Sequence, residues 1–334
     1  MRIGIFGATG MLGRHVAEAA LAEGHELVVL HRPRARLDRL HGLPWQGRIA
    51  DLDQPEGLAH ALRGLDGVVN AAAHYPTVPR PLGAELATAL GQLDAFLDAC
   101  TQAAVPRILY VGGSIALPRH PQGEPADESL VYPSAPEDRT PYVQVKWAMD
   151  ARCRERAARG EPIVIGIPAM TLGEYDYGPS TGRLVLEIAN HSLAAYVAGD
   201  RNVVWAGDAG RGLLLALLRG RPGERYLITG ENTTLDALVA QIVALTAAPT
   251  PRVVPLAVAR AVAKAQEIRW HLFGGNAPRF SATAIAIMAG GQFLSGAKAE
   301  RELGYLPSTG MAGAVTRALN WFRREGMLKP IDAA

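Results

Sequence analysis

Through the first half of the chain, short apolar runs alternate with longer stretches of helical spacing. Ile3–Phe6 is the first run. From Met11 to Glu23 apolar residues recur at three- and four-residue steps, and Gly24 follows as a helix stop. Further strands are predicted over Glu26–Leu30, Gly47–Leu52, Gly67–Ala73, Arg107–Val111 and Pro162–Ile167, with helices over Ala84–Ala104 and Pro141–Arg159. This alternation predicts right-handed βαβ crossovers and an α/β fold with a doubly wound parallel sheet.

After Pro168 the rhythm changes. A Gly-, Tyr- and Pro-rich stretch (Gly173 to Gly182) precedes a helix, and Arg225–Thr229 reads as one more strand. Thr233 begins a T-T-L-D start resembling a capping box, with Asp in place of Glu. Ser295–Leu303 is a helix stopped by Gly304 and Pro307, and Ala312–Arg324 is the last. The pattern divides the chain into a sheet domain, 1–168 with a returning segment near 200–230, and a smaller α+β lobe, 169–334. The lobe is expected over the carboxyl edge of the sheet, where open α/β sheets bind ligands.

A length of 334 residues, 49% apolar and 20% charged, is ordinary globular composition and excludes a disordered chain. The net charge of +2 gives no reason to expect nucleic acid or an acidic membrane as partner. No apolar run reaches the ~18 residues of a membrane span; the best, Val253 to Ala263, is interrupted by Arg260. Two cysteines, Cys100 and Cys153, cannot form a disulfide framework, so a reduced cytoplasmic setting is expected. No Cys/His/Asp cluster has metal-ligand spacing, and no basic–aromatic interleaving suggests nucleic acid.

Gly7-Ala8-Thr9-Gly10-Met11-Leu12-Gly13 reads G-x-x-G-x-x-G. With 36 glycines this spacing arises by chance about 0.4 times per chain, so its context matters more than the pattern. It leaves the first strand and opens the first helix, where glycines let the backbone approach a pyrophosphate at the helix N-terminus. After the second strand comes Leu30-His31-Arg32-Pro33-Arg34, without the carboxylate that bonds the ribose of NAD. NADP(H) is favoured, with Arg32 and secondarily Arg14 facing a 2′-phosphate, and NAD(H) is the alternative. In an arginine-rich chain Arg32 also reads as an ordinary surface residue. Asp51-Leu52, after the third strand, falls where an adenine would be contacted.

Thr140-Pro141-Tyr142-Val143-Gln144-Val145-Lys146 places a good N-cap and a first-turn proline ahead of Tyr142 and Lys146, four apart on one helix face. With nine tyrosines and four lysines, chance supplies about 0.1 such pairs. A neighbouring cation and a helix N-terminus both favour the phenolate, making the tyrosine usable as an acid/base near neutrality.

The glycine loop, Asn70-Ala71-Ala72 after the fourth strand and this Y-x-x-x-K resemble the extended short-chain dehydrogenase/reductases. Within them the chain is similar to the NAD-dependent epimerase/dehydratase family, and to its dihydroflavonol-reductase-like and hopanoid-associated sugar-epimerase-like members. Arg221-Pro222-Gly223-Glu224-Arg225-Tyr226 and Ala297 to Tyr305 extend the likeness over nearly the whole chain. The resemblance implies a Rossmann NAD(P)-binding domain, Tyr142 as proton donor/acceptor, Lys146 on the nicotinamide ribose, and a Ser/Thr on the substrate oxygen. Aligned without a gap that serine falls on Gly113; shifted by one it is Ser114, the residue taken here. Gly7, Thr9, Gly10, Met11, Leu12, Gly13, Arg32, Asp51, Leu52, Ala71, Ala72, Ala73 and Pro168 would line the dinucleotide.

The chain also departs from the family. Ala89 stands where the family carries an Asn of its proton relay, Ile167-Pro168-Ala169 replaces an Asn-Pro-Ser-like segment, and Asp208 follows Trp205-Ala206-Gly207, where it could equally cap a helix. His74, Tyr175 and Arg183 are candidates to face a small-molecule substrate, each with a plain loop or surface reading beside it. Three functions are left: an NADP(H)-dependent reductase of a small carbonyl or secondary alcohol, a nucleotide-sugar epimerase using bound NAD, and an NADP(H)-binding sensor with little turnover. The resemblance is compatible with a homodimer.

Overall fold

The computed structural model describes residues 1–72, 74–76, 80–274 and 281–329. In chain order the first half comprises β1 (Arg2–Phe6), α1 (Met11–Ala22), β2 (Glu26–His31), β3 (Gln46–Ile49), α2 (Leu58–Leu62), β4 (Gly67–Asn70), α3 (Leu82–Gln102), β5 (Ile108–Val111), α4 (Pro141–Ala158) and β6 (Ile163–Pro168). Then follow β7 (Met170–Leu172), α5 (Arg183–Ala189), β8 (Ala195–Tyr196), β9 (Asp200–Trp205), α6 (Ala206–Arg219), β10 (Arg225–Ile228), β11 (Glu231–Thr234) and α7 (Leu235–Thr246). The last elements are β12 (Arg252–Val253), α8 (Leu256–Phe273), α9 (Ala282–Ala289), α10 (Ala297–Leu303) and α11 (Met311–Arg324).

Seven strands form one parallel Rossmann-type sheet in the order β10-β6-β5-β4-β1-β2-β3. Strand order reverses between β1 and β4, so the loops leaving these two strands diverge and open a crevice at the carboxyl edge. β4 and β5 are buried throughout, as strands covered on both faces must be. α1 packs along α6, and α3 along α4. Small residues permit this closeness: a Cβ on Gly166 would run into Leu213 of α6, and one on Gly210 into the His15 backbone. Cys100 and Cys153 are buried in the core as free thiols.

A second core gathers Leu172, Val185, Val203, Leu238, Ile242, Leu319 and Phe322 beneath a three-stranded sheet, β11-β9-β7. Several elements differ from expectation: β4, expected to run on to Ala73, ends at Asn70, and α10 begins at Ala297. β3 ends at Ile49, because Asp51 and Leu52 turn back into a bridge with Gln54. α3 stops at Gln102, and Ala104 adopts φ +51° beyond it. The cap of α7 is Thr234, not Thr233: its hydroxyl accepts from the Ala237 N–H at 3.1 Å, while Asp236 accepts from the Tyr196 hydroxyl at 2.8 Å. No helix among the described residues is long and apolar enough to cross a membrane.

Candidate functional site

The loop from β1 into α1 is shaped by what its glycines lack. Gly7 has φ +78°, and a Cβ there would lie 2.8 Å from the Ala71 carbonyl carbon. A Cβ on Gly13 would overlap the Gly7 carbonyl oxygen. Thr9 forms the turn between them, and the Gly10 N–H donates to the Gly7 carbonyl at 2.9 Å. Gly10 begins the helix with no side chain to cap it, so the first-turn N–H groups of Met11 and Leu12 face outward uncapped. This is a cradle for an anion bonded by backbone, and a dinucleotide's pyrophosphate has the right charge and shape. Ala71 and Ala72 border it from β4; the Ala72 N–H is held by the Asn70 side chain at 3.1 Å. Ala73 lies outside the described residues.

The loop after β2 is basic. Arg32 is exposed, and its guanidinium has no hydrogen bond or ion pair among the described residues. Asp38 is the loop's carboxylate, and a two-pronged bond from Arg36 (2.9 and 2.7 Å) holds it below the usual carboxylate range. Arg14 is committed elsewhere: it bonds Glu18 at 3.0 Å and the carbonyls of Arg39 and His41, and stacks on Tyr175. Of the two arginines expected here, only Arg32 has a free guanidinium. Asp51 accepts from the Asp53 N–H at 3.1 Å, and Leu52 packs against the core.

At the other end of the crevice α4 presents Tyr142 and Lys146 one turn apart, beside a helical turn at Ser114–Ala116. Thr140 holds the N-cap position without side-chain capping, its hydroxyl buried and unpartnered. Lys146 is only 7% exposed, has no anionic partner among the described residues, and burial lowers it to about 8. Its stem runs along Gly113, where a Cβ would sit 3.7 Å from Cδ. Burial pushes the Tyr142 phenol well above its ordinary value, with Tyr75 adding to the shift. In the protein alone, desolvation therefore outweighs the helix and cation effects expected to favour the phenolate. Ser114 is half-buried, its hydroxyl without a partner among the described residues. Pro168 ends β6 opposite Ile228.

Tyr75 packs against Tyr142 with ring centroids 5.0 Å apart and planes tilted by 58°, and burial raises the Tyr75 phenol despite the opposing Arg183 charge. Arg183 is exposed at the start of α5, its Nε donating to the Pro179 carbonyl at 3.2 Å. Tyr175 goes elsewhere. In a left-handed conformation (φ +67°) it packs against His15 and under the Arg14 guanidinium, so its contacts pin the lobe to α1. Asp208 accepts from the Ser308 and Thr309 N–H groups, both at 2.9 Å, anchoring the C-terminal segment.

Sequence reasoning missed the partner of His74. Its Nε2 meets the Glu85 carboxylate, which is 1% exposed and also lies 3.6 Å from Arg80. Glu85 sits on α3 one turn before Ala89, itself fully buried. A carboxylate in register with an apolar helix face was the available signal.

The model of the NAD dependent epimerase/dehydratase family matches residues 3–229. A crystal structure of a nucleoside-diphosphate-sugar epimerase from Pseudomonas aeruginosa superposes with a TM-score of 0.86 at 45% identity, covering 98% of this chain and 99% of that one. Sterol demethylase protein B of Methylococcus capsulatus is 28% identical over 97% of this chain and 99% of its own length. A putative dihydroflavonol 4-reductase of Synechocystis is 28% identical over 97% of this chain and 95% of its own. By this match and the fold, the chain belongs to the NAD dependent epimerase/dehydratase family.

Proposed function

We propose that this NAD(P)-dependent enzyme is an NADPH-preferring reductase of a small carbonyl compound, running also in reverse on the corresponding alcohol. The carrying observation is the loop after β2: Arg32 is exposed with no side-chain partner among the described residues, while the loop's carboxylate, Asp38, is paired with Arg36. That loop suits a 2′-phosphate better than a ribose diol.

When bound, the nicotinamide supplies the hydride. The cradle of Gly7, Gly10 and Gly13 takes the pyrophosphate on the first-turn N–H groups of α1, and Arg32 pairs with the 2′-phosphate. Asp51 and Leu52 would border the adenine, Ala71 and Ala72 the central stretch, and Pro168 the nicotinamide. Ser114 holds the substrate oxygen, and Tyr142 donates the proton as charge builds there. Burial keeps the phenol protonated until that moment. Lys146 orients the nicotinamide ribose and stabilises the phenolate left after transfer. Arg183 and Tyr75 border the substrate beside Tyr142, and His74, held by Glu85, stands at the rim. The putative dihydroflavonol 4-reductase among the relatives favours reduction as the reaction.

A nucleotide-sugar epimerase is the second reading, favoured by the 45% identical structure and by the exposed Arg183, whose charge reaches Tyr75, as a diphosphate grip. Deuterated NADPH with a panel of ketones, aldehydes and nucleotide sugars separates them. The reductase moves deuterium into a product alcohol with one nicotinamide oxidised for each alcohol formed. An epimerase interconverts the sugar with no net nicotinamide oxidation, and absence of both reactions favours the sensor.

A further inference from the structure

The apolar run singled out in the sequence near Val253 becomes the start of α8, and its outer face is unusual. α8 packs on α9 through Ala259 and Ala263, which meet Ile285 and Val197 in a small core of their own. The opposite face is open. Val258, Ala261, Ala265, Ile268 and Leu272 recur at alternating three- and four-residue steps, so they form one stripe. Val258, Val262 and Ile268 are about half exposed (50, 46 and 50%), Leu272 is 71% exposed and Phe273 81%. With Val253 these make up half of the large exposed apolar side chains among the described residues. A contiguous patch of this kind marks an interaction surface.

Charge selects the occupant. Arg260 and Lys264 form an exposed basic row beside the stripe, Arg269 stands within it, and Arg252 lies just before the helix. The helix's one acid, Glu267, is turned inward and accepts from the Ala282 N–H at 2.7 Å. Two copies meeting stripe to stripe would bring these basic rows together, and like charges across an interface repel. An apolar stripe with basic flanks instead matches a bilayer surface carrying anionic headgroups: the stripe enters the acyl boundary while the cations stay among the phosphates.

We propose that α8 docks the protein on anionic membrane surfaces as an interfacial helix that lies on the bilayer without crossing it. The inference is independent of the proposed reaction. It concerns a peripheral, reversible contact, and so refines the expectation from overall charge, which averages over this local basic face.

Sedimentation of the full chain with phosphatidylcholine vesicles, with and without phosphatidylglycerol, tests it. Wild type is expected to pellet with the anionic vesicles, to stay in the supernatant with the neutral ones, and to be released by salt. I268E/L272E is expected to abolish pelleting. R260E/K264E is expected to weaken it by at least about fivefold for each residue reversed. Both pairs are exposed, and circular dichroism verifies that the variants are folded; L306E, an exposed apolar site on another surface, is expected to bind as wild type. Failure of wild type to bind anionic vesicles at low salt would overturn the proposal, as would binding unaffected by both double substitutions. A dimer in analytical ultracentrifugation that I268E/L272E dissociates, without vesicle binding, would assign the face to a second copy instead.

Discussion

The two ends of the crevice are built by opposite means. At the phosphate end the working groups are backbone N–H groups, and the sequence contributes mainly by leaving side chains out: Gly7 and Gly13 each lie where a Cβ would meet main chain. At the Tyr142 end the working groups are side chains whose state is set by burial, with Lys146 drawn down to about 8 and no anion beside it. The first end is a matter of shape and tolerates no added atom. The second is electrostatic: the protein holds an ion where folding alone would not place one. In the function proposed above, pyrophosphate binding belongs to the first and proton handling to the second, so each can be broken separately.

The sharpest separation is Tyr142→Phe. Carbonyl reduction is expected to fall about 10²- to 10⁴-fold in kcat, the usual contribution of a positioned acid, while dinucleotide affinity stays within about twofold in fluorescence titration. Equal losses in both would merge the two ends into one.

Lys146→Met follows. Because the lysine's folded value lies below its ordinary 10.5, the folded state binds fewer protons than the unfolded chain between pH 8 and 10.5. Wild-type stability is therefore expected to rise with pH across that window, with the full desolvation cost present below it. Removing the ammonium is expected to raise stability at pH 7 by about 3 kcal/mol in urea melts and to flatten that slope, with turnover lost. A variant less stable than wild type at pH 7 would contradict the picture of a buried, unpartnered cation.

Gly13→Ala tests the phosphate end. Its methyl would overlap the Gly7 carbonyl, so a loss of about 1–3 kcal/mol in stability is expected, together with weakened dinucleotide binding. Gly91→Ala on α3, where the added carbon meets nothing within 4 Å, is expected to be neutral or to stabilise by up to about 1 kcal/mol. Similar behaviour of the two would remove the argument from close approach.

Much of the first end was legible because it depends on local spacing: a strand, a glycine loop and a helix follow one another within Ile3 to Gly24. Tyr142 and Lys146 were legible for the same reason, four apart on one helix. What their environment does to them was not. The expected downward pull on the phenol is a local effect, whereas the burial that overrides it comes from distant chain: β5, the turn at Ser114 and the segment around Tyr75. The Glu85–His74 pair likewise joins α3 to the loop after β4. The lobe's sheet escaped notice because β7 has three residues and β9 pairs with one parallel and one antiparallel neighbour, leaving no alternation to read. Tyr175 shows what a loop's composition leaves out: a tyrosine in a glycine-rich loop reads as a candidate to face substrate, and its ring packs on His15 of α1.

The most direct test of the account is a titration of NADPH, NADH, NADP⁺ and NAD⁺ against wild type and Arg32→Asp. The account predicts that wild type prefers the phosphorylated pair and that Arg32→Asp weakens NADPH by at least about tenfold, ~1.4 kcal/mol, while leaving NADH unharmed. Tight retention of NAD⁺ by wild type, or equal binding of all four by both proteins, would contradict it.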